Sequence, residues 1–283
     1  IVSIILMYYF LRRRFDLKVS FVSTLLFLTS GCFIFHLHRH IMFVDYMPFL
    51  LMALIGVDKY FDKKKIPLLV ISIFLMILTS YYFSVVGLVC VLLYGIFRYI
   101  EDKRNDKITV KDFFKEGFKF IFVMLIPVLL SCFLLLPTAY SLLDGRTATN
   151  KSISLLELFI PNFDISNTLY SSYSLGCSAI FIIALIYGVV TKKREVKVIS
   201  IIFSILLVFP IFDYVFNGGM YLNGKAFIPL LPLAILLIGY FLMNIFNNKS
   251  KLRISIIISL IIAIINLLVF VYKREYLCLL FGS

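Results

Sequence analysis

Apolar runs of membrane-crossing length recur from one end of this 283-residue chain to the other, with no polar stretch between them long enough to fold as a separate water-soluble domain. A helix that crosses lipid needs about 20 apolar residues, and shorter ones are accommodated inside a bundle. The runs cover 1–11, 19–35, 41–57, 66–78, 85–97, 120–136, 177–190, 198–212, 227–246 and 254–272. They predict an all-α, polytopic transmembrane helical bundle of about ten spans. Basic flanks on both sides of 66–97 argue for a hairpin turning at 79–84 rather than one long tilted helix. Composition points the same way. At 62% apolar, 17% aromatic and a mean hydropathy of +1.03, the chain holds more apolar surface than a water-soluble core buries.

Strict alternation of these spans gathers the segments 12–18, 58–65, 98–119, 192–197 and 249–253 on one side. They carry 22 of the 28 Lys and Arg residues, against Arg39, Arg146, Lys151, Lys225, Lys273 and Arg274 opposite. Basic residues mark the cytoplasmic side, so the first group is expected inside a bacterial cell membrane. The net charge of +13 is thereby assigned to topology, with no nucleic-acid partner implied. Within 107–119, Val110, Phe113, Phe114 and Phe118 repeat at helical spacing between charged residues. Residues 108–119 are expected to form an interfacial helix on the cytoplasmic leaflet.

Cys32, Cys90, Cys132, Cys177 and Cys278 sit in apolar runs without metal or redox spacing and read as structural thiols. Trp is absent, so an interfacial aromatic belt falls to the 17 Tyr and some of the 30 Phe. The chain starts at Ile1 and stops a few residues into a last apolar run, and it reads as a piece of a longer protein forming one transmembrane domain over 1–283.

Chemistry is to be sought where the outer face is unusual. His36, His38, Arg39 and His40 crowd the turn before a span that carries Asp45 about one helical turn inside its end. A carboxylate there costs about 2.5–3.5 kcal/mol at mid-membrane and less at the interface. It is therefore functional, and the chain's candidate catalytic group, or it reaches out to Arg39 or water. The His cluster has two open roles: a divalent cation shared with the carboxylate, or anion contact through Arg39 and an imidazole. No other cofactor is implied. Residues 137–176 are too long for a plain connection and are expected to be structured. Ser154 to Glu157 has capping-box spacing, opening a short helix that Pro161 ends. Asp144, Arg146 and Asp164 flank that helix, and Tyr170 and Tyr173 offer rings, as in a sugar-binding lid or a solvated loop. A third segment joins Asp213 to Asn217-Gly218-Gly219 and Asn223-Gly224-Lys225, where glycines allow either close approach to a ligand or a tight hairpin.

The order of several short motifs resembles the bacterial YfhO-type membrane proteins, of GT-C-like architecture. Met47-Pro48-Phe49-Leu50 leads a span ending in Asp58-Lys59-Tyr60, and Leu78-Thr79-Ser80-Tyr81-Tyr82-Phe83 is similar to the family's aromatic turn, where Asn is expected before the aromatics. Leu135-Leu136-Pro137 and Phe216-Asn217-Gly218 follow, while Lys225 stands where Arg is expected. The resemblance implies sugar transfer on the outer leaflet, from a polyprenyl-phosphate-linked donor to a cell-envelope acceptor such as lipoteichoic acid. His36, His38, Arg39, His40, Asp144, Asp213, Asn217 and Lys225 are the substrate-binding candidates. It also implies a catalytic Asp in an outer loop preceding Ile1 and a further outer domain after the last spans. Two other readings compete: a lipid-linked sugar transporter or flippase, which requires mid-depth charges and interrupted helices in repeated halves, and an envelope-assembly partner without chemistry.

Overall fold

A computed structural model describes residues 1–104, 106, 109–145, 155–162, 173–177, 180–219, 222 and 224–247. Every regular element among them is helical. The expected span at 254–272 lies outside these residues, as do Arg146, Ser154, Asp164, Tyr170 and Asn223.

The other nine apolar runs fall on helices. They are α1 (Val2–Arg12), α2 (Leu17–Leu28), α3 (Gly31–Arg39), α4 (Met47–Lys63), α5 (Pro67–Thr79), α6 (Tyr81–Asp102), α7 (Val110–Leu130), α8 (Cys132–Gly145), α10 (Ile180–Val190), α11 (Arg194–Val208), α12 (Pro210–Phe216) and α13 (Leu231–Asn247). A short α9 (Leu155–Phe159) stops before Pro161, and 3-10 turns at Ile41–Phe43 and Lys225–Leu230 lead into α4 and α13.

Among the described residues, three helices are long and apolar enough to cross a membrane unaided: Ile41–Lys63, Tyr81–Asp102 and Lys225–Asn247. The number rises to six if each of three bent pairs is one span: α2 with α3 (48°), α7 with α8 (72°) and α11 with α12 (83°). Of the expected ten spans, the described residues show three to six candidates. The remaining α1, α5 and α10 hold 11 to 13 residues. At about 1.5 Å per residue they reach only about 17–20 Å, short of the hydrocarbon thickness of about 30 Å.

Each break has a local cause. Between α2 and α3, the Thr29 and Ser30 hydroxyls donate back to the Leu25 and Phe27 carbonyls, and Ser30 leaves the helical conformation. Ser131, between α7 and α8, donates to the Pro127 carbonyl at 2.8 Å. Phe209 is extended before Pro210, as a residue preceding proline prefers. The hairpin expected at 79–84 is present, with Ser80 capping α6 by accepting from the Phe83 amide. A Cβ on Gly87 would lie 2.7 Å from Met76 Sδ, so α5 and α6 fold back closely on each other.

α13 is the axis of the bundle. Some 94% of its best apolar window is buried, against 61% and 67% for the other two long helices. A helix apolar all round belongs inside, and α1, α2, α10 and α11 pack around this one. Within the segment expected as an interfacial helix, Val110 begins α7, which runs unbroken to Leu130. Its outward side continues onto α8 as exposed Phe118, Phe122, Leu129, Phe133 and Leu136, a face suited to lipid.

Candidate functional site

The two ends of the bundle carry different chemistry. On α6, Tyr82 belongs to one end and Arg98 to the other, about 24 Å away at helical rise.

At the Tyr82 end, residues 173–177 are pinned to the start of α3. The Gly31 amide donates to the Gly176 carbonyl at 2.9 Å, and the Cys32 thiol donates to the Leu175 carbonyl at 3.1 Å. Gly176 takes φ +58°, and a Cβ there would lie 2.6 Å from the Cys32 nitrogen, so only glycine fits. Cys32 and Cys177 are both buried, which fits a packing role.

This anchoring brings Tyr173 against His36. The rings stand 5.2 Å apart, edge to face, while His36 stacks on Phe43 at 4.3 Å. Phe43 meets Phe83 at 5.0 Å, Phe83 stacks on Tyr46 at 5.2 Å, and Tyr82 abuts Phe83 at 4.8 Å. The Tyr82 hydroxyl then donates to Asn217 Oδ1. Asn217 Nδ2 donates to Asp213 at both its backbone oxygen (2.8 Å) and Oδ1 (2.7 Å). The Asp213 carboxylate also accepts from the Gly224 amide, at 3.0 and 2.9 Å. Lys225 follows, its ammonium 5.1 Å above the Tyr82 ring. Asp213 thus acts as a clasp that closes the loop back on α12.

Most of the sequence-derived candidates therefore share one end of the fold. His36, Asp213, Asn217 and Lys225 are joined through Phe43, Phe83, Tyr82 and Tyr173. His40 lies 6.1 Å from His36 between ring centres. His38 is exposed, with Nδ1 3.1 Å from the Ile34 carbonyl, and Arg39 is exposed over Phe35. Asp45 sits at the entry to α4, its Oδ1 buried without a hydrogen-bond partner among the described residues. Asp144 lies in α8. No three His, Cys, Asp or Glu side chains among the described residues stand close enough to share a metal ion.

The opposite end holds a constellation that sequence reasoning missed. Asp58, 1% exposed, meets Arg13 Nε at 3.0 Å, Arg14 Nη2 at 2.9 Å and Arg98 Nε at 3.1 Å. It also accepts from the Tyr94 hydroxyl at 2.7 Å. Asp62 pairs with Arg13 and Arg98, and Glu101 with Arg14 and Arg98. Arg14 lies 5.2–5.8 Å from the rings of Phe10, Tyr94 and Phe97. Arg104 binds the fully buried Glu195. Three arginines face three acids, so this end of the bundle is locked by a neutral network joining α4, α6 and the α1–α2 turn.

These features define a polytopic helical membrane protein with an ionic lock at one end and an aromatic, hydrogen-bonded cluster at the other. The sequence model of the family described as bacterial membrane protein YfhO matches residues 1–280, and the chain belongs to that family. Comparison with curated proteins and with solved structures gives no match.

Proposed function

We propose that this chain is the membrane part of a GT-C-type glycosyltransferase, moving a sugar from a polyprenyl-phosphate donor to a hydroxyl of a cell-envelope polymer such as lipoteichoic acid. The observation that carries this reading is the gathering of His36, Tyr173, Tyr82, Asn217, Asp213 and Lys225 at one end of the bundle, on the side opposite the basic loops. Aromatic rings suit sugar faces, and Lys225 with Arg39 would hold the donor phosphate at headgroup depth, where water screens a cation least. Asp45 is the candidate base. Its Oδ1 is buried and lacks a hydrogen-bond partner among the described residues, whereas Asp213 is occupied with its own loop. In the step envisaged, a carboxylate takes the acceptor proton as the acceptor oxygen bonds to the anomeric carbon. The bond from that carbon to the phosphate oxygen breaks, and polyprenyl phosphate departs.

The three bent helix pairs favour a second reading, a flippase for lipid-linked sugar, because transporters place their sites at interrupted helices. Proteoliposomes charged with synthetic polyprenyl-phosphate sugar and an acceptor separate the two. Transfer that falls at least about tenfold in Asp45→Asn, and loses donor dependence in Arg39→Ala and Lys225→Ala at equal insertion, supports the enzyme. Movement of intact donor across the bilayer without transfer supports the flippase.

A further inference from the structure

The helices long enough to cross a bilayer are mostly buried in this bundle, and shorter ones face outward. α5 shows Pro67, Ile71 and Leu78 on one exposed face. α7 packs beside it and exposes Phe122, Leu125 and Leu129. The two faces adjoin as one apolar surface between polar edges.

The inner edge lies at one level on four helices. The Lys65 amide, just before α5, donates to the Lys59 carbonyl of α4 at 3.2 Å. Asp58, one residue earlier, accepts from the Tyr94 hydroxyl of α6 at 2.7 Å. A Cβ on the next residue, Gly95, would collide with the Phe120 ring of α7, beside Lys119. The outer edge is tied together in the same way. Phe83 donates its amide to Ser80 in the α5–α6 turn and stacks on Tyr46, the neighbour of Asp45.

Between these edges α5 holds 13 residues, α4 runs from Asp58 to Asp45, and α7 runs from Lys119 to the break at Ser131. At helical rise the three stretches measure about 18–20 Å. No charged residue falls inside any of them. α6 starts at the same outer edge but continues to Asp102, so its last two turns stand beyond the inner one.

Hydrocarbon about 30 Å thick cannot cover both ends of α5. Each end leaves backbone amides or carbonyls outside the helical ladder, and such groups need water or a protein partner. Tilting the helix only shortens its reach across the membrane. Exposed Thr79 is too short to extend toward water as Lys65 can.

We propose that the α5–α7 face binds a locally thinned bilayer, about 20 Å between headgroup levels, and recruits phospholipids with short acyl chains as its partner. This surface does not depend on the sugar chemistry at the outer end.

Depth is measured on the full chain in vesicles of eighteen-carbon, monounsaturated phosphatidylcholine. A spin label is attached at Lys65→Cys, Ile71→Cys or Thr79→Cys, and labelled wild type supplies the background from native cysteines. All three positions are exposed, so a label there leaves the core intact. Relaxation by oxygen against a polar nickel chelate should place the Lys65 and Thr79 labels both at headgroup depth and the Ile71 label in hydrocarbon. Hydrocarbon depth at either end overturns the thinning, and headgroup depth at Ile71 removes this face from lipid. Recruitment is read separately, on wild type extracted from vesicles holding equal amounts of fourteen- and eighteen-carbon phosphatidylcholine. Native mass spectrometry should find the shorter lipid retained about threefold in excess. Equal retention, or an excess of the longer lipid, overturns the choice of partner.

Discussion

Asp58 and Arg14, 44 residues apart in sequence, meet at 2.9 Å with almost no exposure of either side chain. Removing one partner of such a buried pair strands the other charges, which typically costs about 3–5 kcal/mol. Asp58→Asn should therefore lower detergent-solubilised thermal stability severely. Asp106→Asn, which opens the exposed Lys103 pair, should change it by less than about 1 kcal/mol. Similar melting shifts for the two variants would show that the network does not hold the bundle together.

Gly176→Ala should detach the 173–177 segment from α3. The alanine must adopt φ near +58° and place its Cβ 2.6 Å from the Cys32 nitrogen, a strain of about 1–3 kcal/mol. Tyr173 then loses its place against His36, and tyrosine crosslinking or protease access at this segment reports the release. Wild-type protection in the alanine variant would refute the anchoring.

At the basic end, the Lys193 ammonium lies 4.9 Å over the Tyr240 ring, and burial, aided by nearby Arg104, holds its amine below the ordinary value of 10.5. The folded state then binds fewer protons than the unfolded one between the depressed value and 10.5, so this group makes stability rise with pH in that alkaline window. Lys193→Met should flatten the slope there. A slope unchanged by the substitution would dissociate Lys193 from it.

Orientation is open to labelling in intact cells. With the basic loops inside, a cysteine replacing exposed Asp106 should resist an impermeant maleimide, and one replacing Glu157 in α9 should react. The reverse pattern would invert the topology and place the aromatic cluster in the cytoplasm.

How much of this was legible follows from range. Helices are local, and the nine described apolar runs could be read from residues a few positions apart. The α5–α6 hairpin was visible in the basic flanks of its two runs and in the polar turn between them. The breaks were only partly legible. Pro210 announces one, but Ser131 acts through a hydroxyl bond to its own helix, a choice that serine often declines. The ionic lock was hidden because Arg13, Arg14, Asp58, Asp62, Arg98 and Glu101 lie in segments that each look like an ordinary charged turn. Only packing turns them toward one another. At the other end, Asp213, Asn217 and Lys225 were picked out as neighbours in sequence, whereas their link to His36 depends on Phe43 and Phe83, apolar residues that carry no mark of function.

The lock also sets an order of events at birth. Arg14 precedes its partner Glu101 by 87 residues, which at about 5–20 residues per second means about 4–17 s of synthesis between them. Asp58 and Asp62 come about midway, so Arg13 and Arg14 first hold only their α4 partners. Arg98 and Glu101 complete the network when α6 is made.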